Sequence, residues 1–167
     1  MINAPLEPWP LPDEFLIELG RISASWVALE SYLDLCLGKL AGYNALLDVR
    51  PFIVLRHSSF PQKLDAFEAL CDFLQPEFER LQNYKVVTSK LRSAQKCRNK
   101  YMHNSISRNP DTSAYELAEG SARGKIKTSV AAITPADLNR VAVEIRAAMI
   151  ELHELVIGKP HTQARRA

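Results

Sequence analysis

Glycine is scarce in this chain: six of 167 residues, with none between Gly42 and Gly120. That leaves no glycine-rich phosphate loop of the nucleotide-binding kinds, and it leaves room for long uninterrupted helices. Cysteine is scarcer still. Cys36, Cys71 and Cys97 are odd in number, widely spaced and without a C-x-x-C pair. A disulfide framework and a familiar zinc module are therefore not expected, and a reducing compartment is. No run approaches the roughly 20 apolar residues that a membrane span needs. A basic segment leading into an apolar stretch is also missing from the N-terminus, so a signal peptide is not expected and the cytoplasm is the expected location. Excess charge of one sign is lacking too. A formal net charge of +2 does not by itself imply nucleic-acid binding, so any basic character has to come from where the charges sit. There is no serine nucleophile elbow and no acidic metal cluster, and the Glu-x-x-His pattern fails at His153, where Ile150 stands at the acidic position.

The length fits one domain with a real core. Apolar residues at 47% and charged residues at 24% are ordinary for a water-exposed globular chain. Four of the ten prolines fall in residues 1–12, which read as an extended arm with Trp9 as a possible anchor. A first helix is expected from Asp13, its capping residue. Phe15, Leu19, Ile22, Trp26, Leu29, Leu33 and Leu37 advance along it in steps of three and four, and Gly38 and Gly42 suggest its end. A short helix is expected between Ala45 and His57, starting close to Val49 because Pro51 suits only a first turn. Ser58 or Ser59 then caps a third helix whose buried face is Leu64, Phe67, Ala69, Leu70, Phe73 and Leu74. A fourth runs from about Glu77 to Asn104.

Asn109-Pro110-Asp111 signals a turn, and residues 114–118 and 126–130 look like two strands of a short hairpin around Gly120 and Gly124. Thr134-Pro135-Ala136-Asp137 is a helix start, followed by Leu138, Val141, Ile145, Ala148, Leu152 and Leu155 up to Gly158. Residues 159–167 read as a flexible tail. The expected fold is all-α: one bundle of about five helices over 13–158, with a short hairpin or irregular insertion before the last.

The fourth helix carries the chemistry. Tyr84, Val87, Leu91, Ala94, Arg98 and Tyr101 share one face, and Arg98 alone does not belong in an apolar seam. The neighbouring stripe of Arg92, Lys96, Asn99 and His103 is wholly polar. Two plain readings stand beside a functional one: Arg98 paired with a carboxylate such as Glu30, and His103 complementing the negative end of the helix dipole.

The segment Arg98-Asn99-Lys100-Tyr101-Met102-His103 resembles the motif of the HEPN (higher eukaryotes and prokaryotes nucleotide-binding) superfamily. In that motif an Arg, with a polar residue directly after it, precedes a His by four to six residues. Its place near the end of a long helix resembles the family too, as do Trp26-x-x-x-Glu30 and the helix start Ser58–Leu64. What the resemblance implies is metal-independent RNA cleavage with no cofactor, in which Arg98, Asn99 and His103 are catalytic. The imidazole would move a proton near neutrality, the guanidinium would hold the scissile phosphate, and the amide would orient either. Arg92, Lys96, Lys100 and Tyr101 would line the RNA. The resemblance further implies a homodimer, and roles as a toxin or defence effector, with an antitoxin protein as a partner. Some members bind a nucleotide or a protein without cleaving, and that alternative stays open. Five residues correspond to about 140° around an ideal helix, so one helix is not expected to bring Arg98 and His103 to one phosphate. A two-fold dimer with the fourth helix at its interface is expected instead.

Overall fold

The long apolar stripe of the N-terminal half forms α1, Asp13–Leu40, in the computed structural model, which describes residues 11–43, 48–121 and 127–158. Phe15, Ile22, Trp26, Leu29, Leu33 and Leu37 are buried as their spacing predicts, with Leu19 partly so. Asp13 is the first helical residue rather than the cap. Pro12 precedes it in extended conformation, and its carbonyl accepts from the N–H groups of Phe15 and Leu16. Gly42, at φ +80°, ends the turn that follows.

α2 is a six-residue helix, Arg50–Leu55, with Pro51 in its first turn. α3, Phe60–Leu74, starts at Ser59, whose N–H donates to Gln62 Oε1 at 2.8 Å. Leu64 and Phe67 are fully buried, whereas Ala69 and Phe73 are exposed, Phe73 at 76%. The buried face of α3 instead turns through Phe60, Lys63 and Cys71.

The fourth helix begins later than its sequence suggests. Phe78 is extended, a 3₁₀ turn covers Glu79–Asn83 around the fully buried Leu81, and α4 proper spans Tyr84–Met102. β1 (Ser105–Arg108), β2 (Tyr115–Ser121) and β3 (Lys127–Ala132) follow as an antiparallel sheet in that order. The expected hairpin is β2 paired with β3, and β1 adds a third strand to it. β1 escapes notice in the sequence because four residues carry little pattern of their own; pairing Ile106 opposite Leu117 supplies it. Leu117 is fully buried, and the Tyr115 ring lies 4.7 Å from Phe15, which fastens the sheet to α1.

α5, Pro135–Ile157, starts with the expected reciprocal cap. Thr134 N–H donates to Asp137 Oδ2 at 2.8 Å, and Asp137 N–H donates to Thr134 Oγ1 at 3.3 Å. All six apolar positions read from its sequence are buried. α1 packs chiefly on α5, and α4 packs on α5 and α3. The shared core joins Ile22, Leu29 and Leu33 to Phe67, Leu91, Ile145 and Leu152. The expected arm (apart from Leu11 and Pro12), Ala45, Gly124, Ile126 and the tail with His161 lie outside the described residues. Among the described residues, no helix is long and apolar enough to cross a membrane.

Candidate active site at the end of the fourth helix

α4 sends Tyr84, Val87, Leu91 and Ala94 into this chain's own core. The face expected at a dimer seam is therefore occupied within one molecule. Arg98 and Tyr101 continue that face and are half-buried. His103 is the residue that ends the helix. Its backbone, at φ −119° and ψ 3°, has left helical geometry, although its N–H still reaches Asn99 O at 3.2 Å. The imidazole consequently folds back on the last turn. Arg98 Nη1 lies 2.9 Å from His103 Nε2 and donates to Asn99 Oδ1 at 3.0 Å. The expectation of about 140° between Arg98 and His103 fails because it assumes that the helix continues through His103. One chain brings Arg98, Asn99 and His103 together.

Donor chemistry fixes the proton. A guanidinium has N–H donors and no acceptor, so in this contact Nε2 accepts and the imidazole carries its hydrogen on Nδ1. In that arrangement the Nε2 lone pair points at the cation.

Arg98 is not paired with Glu30. Among the described residues no carboxylate lies within ion-pair distance of it, and its buried Nε has no hydrogen-bond partner. Instead the guanidinium carbon sits 5.5 Å from the centre of the Trp26 ring on α1, and Phe60 of α3 packs on that ring at 4.5 Å. The place of Trp26 beside Arg98 is invisible in the sequence, where it reads as an apolar position of α1 and as part of the Trp26-x-x-x-Glu30 pattern. Glu30 belongs to another cluster, in which the buried Lys63 ammonium lies 3.4 Å from Glu30 and 2.9 Å from Asp34. Burial raises the Asp34 pKa above the usual carboxylate range, and Lys63 opposes that shift.

The residues expected to line RNA are not brought together. Arg92 is drawn to α3, 3.0 Å from Asp65 and 3.2 Å from Glu68. Lys100 reaches 2.8 Å to Glu119 of β2, which ties the end of α4 to the sheet. Asn104 closes the last turn of α4 locally, its Nδ2 donating to Lys100 O at 2.7 Å. Lys96 is exposed without an ion pair among the described residues, and Tyr101 packs against the core. Exposed pairs such as those of Arg92 and Lys100 contribute only about 0–1 kcal/mol, so an arriving polyanion can exchange with them at small cost.

Other reactive groups are poorly placed. Burial pushes the Cys36 and Cys71 thiols up to about 12, far from the thiolate form. His153 Nδ1 is 2.5 Å from Tyr32 Oη, between α5 and α1. Among the described residues no three His, Cys, Asp or Glu side chains gather as metal ligands; His57, Cys71, Cys97 and His103 form no such group. Compared with protein-family models, curated proteins and solved structures, the chain matches none.

Proposed function

We propose that this chain is a metal-independent endoribonuclease of the HEPN type. The observation that supports it is the 2.9 Å approach of Arg98 Nη1 to His103 Nε2 beside Asn99, with no acid on the guanidinium. RNA supplies its own nucleophile, so the protein has only to move protons and hold charge. A phosphodiester that binds Arg98 takes over the Nη1 hydrogens and frees His103 Nε2. That nitrogen then accepts the proton of the 2′-hydroxyl, whose oxygen attacks phosphorus. The bond to the 5′ oxygen breaks, and this oxygen takes a proton from solvent. Arg98 stabilises the added negative charge of the transition state, and Asn99 orients the guanidinium before the phosphate arrives. No residue in this scheme needs a cofactor.

The remaining parts of the reading follow the same resemblance. RNA runs past Lys96, with Arg92, Lys100 and Tyr101 at its margins. A homodimer would have to use the outer side of α4, since the inner side is core. A toxin or defence role and an antitoxin partner belong to this proposal too. A second reading, a non-cleaving domain that binds a nucleotide or a partner protein, is favoured by one feature: the Nε2 lone pair is already engaged by Arg98.

Purified protein incubated with single-stranded RNA in excess EDTA separates the two. Cleavage by the wild type that falls at least a hundredfold in His103→Ala is expected, within the usual range for loss of an acid–base residue of about 10²–10⁴. No cleavage of any RNA, with mononucleotide binding retained, favours the second reading.

A further inference from the structure

We propose that Trp26 is a positioning residue, whose ring carries the Arg98 guanidinium in place of a carboxylate and so keeps that cation free for an oxyanion. The identity of the oxyanion as a scissile phosphate rests on the ribonuclease reading; the holding role does not. A cation at the edge of a core is ordinarily matched by an acid. Here the acids nearest in sequence on α1 are already taken. Trp26, Glu30 and Asp34 follow one another at four-residue steps along one side of α1, and the 5%-exposed Lys63 sits against both carboxylates. That leaves Arg98 over the indole at 5.5 Å, with its Nε buried and unpartnered.

The difference between the two kinds of partner is geometric. A carboxylate engages the in-plane N–H edge of a guanidinium, the same edge that a phosphate requires. An aromatic ring attracts the cation through its π system and brings no competing oxygen to the N–H hydrogens. Among the described residues the hydrogen-bond partners of this guanidinium are Asn99 Oδ1 and His103 Nε2, both on Nη1, and neither is a carboxylate, so a phosphate oxygen can outcompete them. Trp26 is itself fixed by Phe60, the first residue of α3, whose preceding turn is closed by Ser59 and Gln62. Contacts from Phe60 through Trp26 to Arg98 thus run from the core to the site.

The test is a titration of the full chain with inorganic phosphate, followed by nitrogen-15 NMR of the arginine Nε–H groups, with Arg98→Lys identifying the Arg98 signal. In the wild type that signal should lie upfield from ring current and should move as phosphate binds. Trp26→Phe, which keeps a π face, should bind phosphate within about threefold of wild type. Trp26→Leu should lose the upfield shift and bind about tenfold more weakly, a change of about 1.4 kcal/mol, inside the range of a desolvated cation–π contact. Wild-type phosphate affinity in a folded Trp26→Leu overturns the proposal, as does an Arg98 signal at the ordinary position in the wild type. If Trp26→Leu does not fold, the wild-type signal and Trp26→Phe decide alone. A wild type that shows the shift and binds phosphate but cuts no RNA supports the role of Trp26 and overturns the ribonuclease reading.

Discussion

A guanidinium can only donate, and in this chain that limitation determines the state of its neighbour. Arg98 makes His103 Nε2 the acceptor of their contact, and the helix end at His103 lets the ring reach back. The candidates themselves were legible: a cation in an apolar seam, an amide directly after it and an imidazole five residues on. Their convergence was not, because helical angles cannot anticipate a backbone that leaves the helix at the last residue. Nor could the sequence say that Trp26 would replace Glu30 as the partner of Arg98, since that choice is made by packing between α1, α3 and α4.

Asp137 is a second residue whose state is set by its surroundings. Hydrogen bonds from Thr134, with Arg140 adding to them, hold its carboxyl below the usual range. A lowered folded-state pKa means stability that is present above the unfolded value of about 3.9 and is lost as the pH falls further. Asp137→Asn should therefore cost about 1 kcal/mol at pH 7, the typical worth of a helix N-terminal cap. The gap in melting temperature should close below pH 4; a gap unchanged between pH 7 and pH 3 would refute the linkage.

At the scale of elements, long periodic segments read true, as did the short helix α2 that Pro51 places; the onset of α4 and the strand β1 did not. α1 and α5 repeat their apolar positions over many turns, so their buried faces follow from spacing alone. Phe73 fits the same pattern in α3 but lies at an end with no neighbour to cover it. The onset of α4 depends on the burial of Leu81 in a 3₁₀ turn, and β1 depends on its partner strand; both are tertiary decisions. Two glycines of α1 make opposite predictions from one helix. Gly20 is helical and exposed, with nothing within 4 Å of an added Cβ, so Gly20→Ala should stabilise by roughly 0.8–1 kcal/mol. At Gly38 an added Cβ would meet Pro51 Cγ of α2 at 2.6 Å. Overpacking of this kind costs about 1–3 kcal/mol, so Gly38→Ala should gain nothing and lower the midpoint of urea unfolding despite alanine's better helix propensity. Equal gains from both substitutions would show that α2 does not press on α1.

For the molecule as a whole, the sheet and the bundle meet where the site lies. Leu117 anchors the sheet in the core, Lys100 and Glu119 join it to α4, and β1 begins two residues after His103. The five-helix outline was readable because a cap, Pro or Gly marks an end of every helix but α4, whose apolar face marks it instead. The way the sheet buttresses the end of α4 was not, because a hairpin seen in sequence carries no direction. The ends of the RNA fragments test the proposed chemistry most directly. Attack by the 2′-hydroxyl, with His103 taking its proton, predicts 2′,3′-cyclic phosphate and 5′-hydroxyl termini in EDTA, and none from Arg98→Ala or His103→Ala. Fragments bearing 5′-phosphate and 3′-hydroxyl termini, or wild-type yields from either variant, would contradict it.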